Sequence, residues 1–388
     1  MNILVYEWHA YNYKDIEETL RAMGHDVDVL KYHLDNYDED EAFYELLSSK
    51  IKSSTYDFVF TVNYFGVVAT VCHDIGIRYV SWTCDNPLIS MYHNSVFYDT
   101  NLIFTFDKTN EIEWKQMGVK NIFYLPLCGE PGRMKAAIDN APSEKRGAYR
   151  APVSFVGSLY ERNSYDALES SLYDYERGYF DAMIEAQKNL YKSYILDSAL
   201  TPDILASVGS HIDLKESSED SFSDISLILE TTVLGFKVAK ERRIDLLNFL
   251  TDNDVETALY SNSDATLVPN VSYRGSVDYF GELPLVFLES DININNSLPI
   301  IKSGIPLRVW DVLSAGGFLL TDYKPELLFY FENKKELCFY ESKEELLSLI
   351  EYYLSHDTER EKIRRNGLEC VQKYHTYRER LSSMLSEI

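Results

Sequence analysis

The sequence predicts an α/β protein of two doubly wound parallel sheets, each covered by helices and facing the other across a cleft. A helical insert is expected in the second unit. Three observations carry this reading. Short apolar runs alternate with helical patterns from Asn2 to Leu125, and again from Ala151 onward; strand, helix, strand repeated gives a parallel sheet. The runs are apolar nearly throughout, as strands buried on both faces must be. Between the two series, Asp139–Pro152 (DNAPSEKRGAYRAP) is polar with Pro and Gly, and reads as a linker.

In the first unit, residues 1–138, strands are expected at Asn2–Glu7, Val27–Lys31, Asp57–Val62, Arg78–Thr83, Leu102–Phe106 and Asn121–Leu125. Helices are expected at Tyr13–Met23, Asp40–Lys52, Tyr64–Asp74 and Thr109–Met117. Gly24, Gly76 and Gly118 each follow one of these helices, where a left-handed residue ends the last turn. After a linker at 139–151, the second unit (152–374) opens with the strand APVSFV and a glycine turn. It continues with helix Glu241–Leu250, strand Val255–Tyr260, and a strand at either Ala265–Val268 or Asn270–Tyr273. Helix Val277–Glu289, strand Ser290–Asn295, helix Pro306–Ser314 and strands Phe318–Leu320 and Leu337–Tyr340 follow, then helices Lys343–Ser355 and Asp357–Lys373. Residues 161–239 exceed what this alternation needs. Rich in Tyr, Leu, Glu and Asp, they read as several helices, with Lys215–Asp224 (KESSEDSFSD) a mobile acidic loop. A last helix, Tyr377–Ser386, lies in the C-terminal segment 375–388.

Composition narrows the function. With 37 Lys plus Arg against 62 Asp plus Glu, the formal charge is -25. That argues against a general nucleic-acid binder, which needs a basic surface to neutralise phosphates, and against docking on an anionic bilayer. No stretch approaches the roughly 18 apolar residues of a membrane span, and MNILVYEWHAYNYKD has neither the basic start nor the apolar run of a signal peptide. Cys72, Cys84, Cys128, Cys338 and Cys370 are odd in number, scattered and without a CxxC pair; they read as reduced thiols, and the expected location is cytoplasmic. No His-Glu-x-x-His or comparable metal motif is present. Thirty tyrosines suit a sugar- or peptide-binding surface, and equally suit amphipathic filling at element edges.

Ligands of doubly wound sheets bind outside the carboxyl ends of the strands, so the loops after strands are the place to search. RVWDVLSAGGFLLTDY (308–323) puts Arg308 and Asp311 three apart on one face of a short helix. Ser303, Gly304 and Ile305 precede Pro306, which suits a first helical turn. Free backbone N–H groups at that start would suit a phosphate, Arg308 would add charge-assisted bonds to a diphosphate, and Asp311 would accept from ribose hydroxyls. An ordinary surface ion pair explains the same spacing. Gly157 and Ser158 end a strand, where their backbone can line phosphates or merely turn the chain. Arg162 and Arg274 are post-strand cations, suited to a diphosphate or to one of the many acidic side chains. Asp85, in SWTCDNP, stands just past the fourth strand, placed to act as general base on an acceptor hydroxyl or to cap a turn. His9, in the loop after the first strand, is the second candidate base.

The stretch IKSGIPLRVWDVLSAGGFLLTDY, with ELLFYFE, RxxIRRNG and YHTYRERL after it and VSYRGSVDYFGELPLVFLESDININNS before it, resembles the C-terminal half of CgeB-like (spore maturation protein) glycosyltransferases. SWTCDNP and SFVGSLYERN are similar to that family as well. The resemblance implies the GT-B fold, two Rossmann-like domains around a cleft, with the C-terminal helix returning to the first. It implies a nucleotide-sugar donor, a UDP-sugar, on the second domain, and a glycan or protein acceptor on the first. Tyr260, Arg274 and Gly275 fall where such domains hold the base. Asp311 stands where many retaining GT-B enzymes keep the second Glu of a glutamate pair; the first would lie eight positions earlier, where this chain has Ser303. No cofactor or metal is implied, since Arg side chains and helix N-termini can neutralise the leaving diphosphate. The insert 161–239 is a candidate acceptor surface or a homo-oligomer interface. A non-catalytic scaffold and a sugar-nucleotide epimerase share the fold and stand as alternatives.

Overall fold

The computed structural model describes residues 1–34, 36–214 and 220–388. It contains two six-stranded sheets, parallel throughout. The first holds β1 (Asn2–Glu7), β2 (Asp26–Lys31), β3 (Phe58–Val62), β4 (Arg78–Trp82), β5 (Asn101–Thr105) and β6 (Ile122–Tyr124), in the order β2-β1-β3-β4-β5-β6. The second holds β7 (Ala151–Val156), β8 (Thr257–Tyr260), β9 (Ser272–Tyr273), β10 (Ser290–Asn295), β11 (Leu319–Asp322) and β12 (Cys338–Tyr340), in the order β12-β11-β10-β7-β8-β9. In each sheet the chain starts in the interior, runs to one edge, then returns and fills the other side. The order therefore reverses beside β1 and beside β7. Loops on either side of such a reversal diverge and leave a crevice at the strand ends. Ile3 pairs in register with Val27 on one side and Phe58 on the other, and all of β3 is buried, which accounts for the continuous apolar runs.

The helical expectations hold with three differences. A helix not expected in the first unit, Pro131–Asn140, entered by Pro131, runs into the stretch expected as a linker, and Ser143–Gly147 within that stretch is helical too. The helix expected from Val277 starts at Leu283. Asp278 instead accepts from the Gly281 amide at 2.6 Å while its own amide donates to Glu282 at 3.0 Å, a local turn that competes with the helix. Ala265–Leu267 is a single 3₁₀ turn capped by Asp264, so the short edge strand is β9.

The insert is helical, with a π-helical segment at Leu229–Gly235. Of the acidic stretch expected to be mobile, residues 215–219 lie outside the described residues. Its other part is held. Asn94 donates its amide to the Asp220 carbonyl, Phe222 donates to the Tyr92 carbonyl, and the Phe222 ring packs among Tyr92, Phe97 and Trp114. The insert of the second domain thus clasps the first. The final helix, Tyr377–Leu385, also crosses: Arg380 donates to the Pro126 carbonyl at 3.0 Å and Tyr377 packs edge-on against Trp82. Among the described residues no helix is long and apolar enough to cross a membrane.

Candidate functional site

Two cavities open at the carboxyl ends of the strands beside the reversals. The first, of about 510 Å³, belongs mainly to the second domain. β7 is followed by Gly157, whose amide donates to the Tyr260 carbonyl at 3.1 Å, and the turn is fixed when Leu159 donates to Ser263 Oγ at 2.8 Å. Gly157, Ser158 and Arg162 line one wall, and Tyr260 with Ser261, Asn262 and Ser263 the floor after β8. The helix Leu307–Ser314 contributes Leu307, Arg308 and Asp311. Six residues singled out in the sequence therefore meet here: Gly157, Ser158, Arg162, Tyr260, Arg308 and Asp311.

Asp311 is 4% exposed. It accepts from the Tyr279 hydroxyl at 3.0 Å, and Arg308 Nη1 lies 3.5 Å from its other oxygen. Burial pushes its carboxyl above the usual range, opposed by the charge of Arg308 and the hydroxyl of Tyr279. A carboxylate so desolvated favours a ligand that brings hydrogen-bond donors. Arg308 lies over the Phe287 ring, 5.3 Å from its centroid, which fixes its planar fork near the cavity.

Arg243 is a functional candidate that sequence reasoning missed. It comes from the helix Phe236–Asp252, passes beneath the β7 turn, and donates to the carbonyls of Ser158 at 2.7 Å and Asn296 at 2.6 Å. Its guanidinium stacks between Phe155 and Tyr160. This buried guanidinium holds the Ser158 carbonyl and puts a positive charge beneath the Gly157–Ser158 turn. Only its packing reveals the role; in sequence it is one of two adjacent arginines on an amphipathic helix.

The remaining residues expected at the donor side lie elsewhere. Ser303 donates its amide to Asp107 Oδ2 at 3.1 Å, so it is not the free phosphate-binding amide that the sequence suggested. The Ser303–Ile305 loop is pressed onto the end of β5 instead. Gly304 sits so close that a Cβ there would meet the Phe106 ring at 2.9 Å, and Ile305 is fully buried. Arg274 turns away from the cavity, donating to the Tyr260 hydroxyl at 3.1 Å and to the carbonyls of Ala148 and Arg150. Gly275, at φ +72, carries the chain behind the floor, its carbonyl accepting from Ser261.

The second cavity, of about 910 Å³, lies past β1 and β2. Trp8, His9, Tyr11, Tyr32 and His33 line it together with Glu7, Lys31 and Phe280 of the second domain. The His9 and His33 rings are 5.9 Å apart, and Glu7 pairs with Lys31 at 2.7 Å. Asp85 lies apart from both cavities. Asn63, in a left-handed conformation at φ +64, donates to Asp85 Oδ2 at 2.7 Å and accepts from the Cys84 and Asp85 amides. The structure thus separates the two candidate bases, with His9 in the cavity and Asp85 in an Asn63-bound turn. Tyr11 and Tyr279, which nothing in the sequence sets apart from its other tyrosines, both line the cavity after β7 and β8. Among the described residues no three His, Cys, Asp or Glu side chains are grouped to hold a metal ion.

Residues 242–386 match the family model described as Glycosyl transferase-like. The match takes in Arg243 and the whole Ser303–Asp311 stretch. No curated protein matches the chain. Solved structures do, over nearly its full length: a glycosyltransferase from Rickettsia africae (11% identity, 99% of this chain and 97% of that one, TM-score 0.58), Anabaena HepE in complex with UDP-glucose (10%, 100% of each chain, 0.57), and a UDP-forming trehalose-phosphate synthase from Burkholderia xenovorans (10%, 99% and 98%, 0.56). At this identity the likeness is one of fold, and the fold is GT-B.

Proposed function

We propose that the chain is a glycosyltransferase that moves a sugar from a nucleotide-sugar donor, a UDP-sugar, to a glycan or protein acceptor in the interdomain cleft. The observation that carries this is the donor-side cavity, where a buried carboxylate, two arginines and a glycine turn meet at the ends of β7 and β8. Asp311 accepts from the ribose hydroxyls, Tyr260 and the segment after it flank the base, and the diphosphate rests on the Gly157–Ser158 turn. Arg162 and Arg308 face that turn's cavity, with Arg243 charging the turn from beneath. The family match over residues 242–386 supports this reading, as does a fold shared with a protein solved with UDP and with UDP-glucose. The motif residues from Ser303 to Tyr323 favour kinship with CgeB-like enzymes.

In the transfer, an acceptor hydroxyl oxygen bonds to the anomeric carbon as the bond from that carbon to the diphosphate oxygen breaks. The nucleoside diphosphate leaves with the electron pair, and the hydroxyl proton passes to a base. His9 is the candidate in the first-domain cavity. The charge that develops on the leaving oxygen is met by fixed cations and backbone donors, which cost no reorganisation during the step.

Calorimetric titration with UDP, GDP and dTDP tests the donor site. One nucleotide is expected to bind, with affinity reduced about tenfold or more in Asp311→Ala, the scale of a lost charge-assisted hydrogen bond. No binding by the folded wild-type protein to any of the three would favour a scaffold that keeps the fold.

A further inference from the structure

The two cavities meet at one pair of rings. Tyr11, in the loop after β1, lines both of them. Its ring stacks on Tyr279 of the second domain, with centroids 4.9 Å apart and planes at 28°. Tyr279 lines the donor-side cavity, and its neighbour Phe280 lines the other. The wall between the cavities is therefore built half from each domain.

The two halves are held very differently. Tyr279 donates to buried Asp311, and its ring lies 5.0 Å from the Arg133 guanidinium, itself fixed by two bonds to Asp15 at 2.7 and 3.0 Å. Tyr11 is 67% exposed, and among the described residues its ring is held by the stack on Tyr279, a contact weak enough to open thermally. Tyr279 is the fixed jamb, and Tyr11 is the part that can leave.

We propose that Tyr11 is a removable cover of the donor-side cavity: stacked on Tyr279 it retains the nucleotide, and it must lift for the nucleotide to depart. This rests on the donor reading of that cavity. It makes Tyr11 a positioning residue that sets release without touching the reacting atoms.

Association and dissociation of UDP are followed over immobilised wild type, Tyr11→Phe and Tyr11→Ala. Tyr11→Ala is expected to release UDP about 2- to 10-fold faster, the scale of one aromatic pair, and to admit it faster as well, because a cover that lifts for departure also lifts for entry. Tyr11→Phe keeps the stack and should release at the wild-type rate. The cover is refuted if Tyr11→Ala releases UDP no faster, or if Tyr11→Phe behaves like Tyr11→Ala, which would make the hydroxyl the determinant. Because Tyr11 is exposed, both variants should melt with the wild type. Failure of the wild type to bind UDP, GDP or dTDP overturns the donor reading and the cover together; wild-type binding with unaltered release in Tyr11→Ala removes the cover alone.

Discussion

Ser303 of the second domain gives both its amide and its hydroxyl to Asp107 of the first. Asp107 also accepts from the Thr109 and Asn110 amides as it caps its helix. The same Ser303 hydroxyl lies 2.8 Å from Oε1 of Glu326, which is 1% exposed and also meets the Lys108 amide and the Tyr124 hydroxyl. One hydroxyl hydrogen cannot serve two carboxylates; a proton on Glu326 would complete the junction.

Burial raises the Glu326 carboxyl above its usual value, and Asp107 adds to the rise. A carboxyl raised in the folded state binds its proton more firmly there than in the unfolded chain. Its contribution is full below the unfolded value, near about 4.3, and is lost as pH rises through the folded value. Melting temperatures of wild type and Glu326→Gln, measured from about pH 5 to pH 8, are expected to shift in favour of the variant as pH rises. A difference independent of pH would count against a proton at this site.

Arg133 binds Asp15 with two nitrogens, and the Asp15 side chain is 1% exposed. Arg133→Met should cost about 3–5 kcal/mol, because it leaves a buried carboxylate without its partner. Adding Asp15→Asn should recover most of that loss. Urea denaturation of the two single variants and the double variant gives the coupling; additive effects would mean that the pair is not coupled.

Gly304→Ala would place a methyl 2.9 Å from two carbons of the Phe106 ring and 3.0 Å from Asp107 Cβ. Phe106 is fully buried and has no room to turn. The expected loss is about 1–3 kcal/mol by overpacking, read as a lower urea midpoint. An unchanged midpoint would mean that the domains slip apart at no cost.

Phe222→Ala should release the clasp between the insert and the first domain. Losing three ring neighbours is worth about 1 kcal/mol or more locally. Hydrogen exchange of the Asn94 amide, which donates to Asp220, should accelerate, while amides of β3 keep their protection. Equal acceleration in both places would mean that Phe222 supports the whole fold instead.

The sheets were legible because their strands carry continuous apolar runs and helices between them end in glycines, signals that are local in the chain. The cavity was legible in part, since Gly157, Arg308 and Asp311 occupy post-strand positions whatever the tertiary detail. Ser303 was not, because a serine before a proline-led helix looks the same whether its amide is free or taken by Asp107, 196 residues away. Arg243 was hidden for the same reason, as its bonds go to carbonyls across the sheet. Tyr11 and Tyr279 gain meaning only as a pair, and nothing in a chain of thirty tyrosines marks two that meet across a cleft.

The apolar interior does not stop at the boundary between the sheets. One continuous cluster of buried side chains runs from Ile3, Phe60 and Trp82 through Phe106 and Ile305 to Trp310 and Tyr377. Other buried clusters stay within one unit, but this one belongs to both. A chain severed near residue 145 would yield two halves, each with a wet apolar face, so each sheet draws part of its stability from burial against the other.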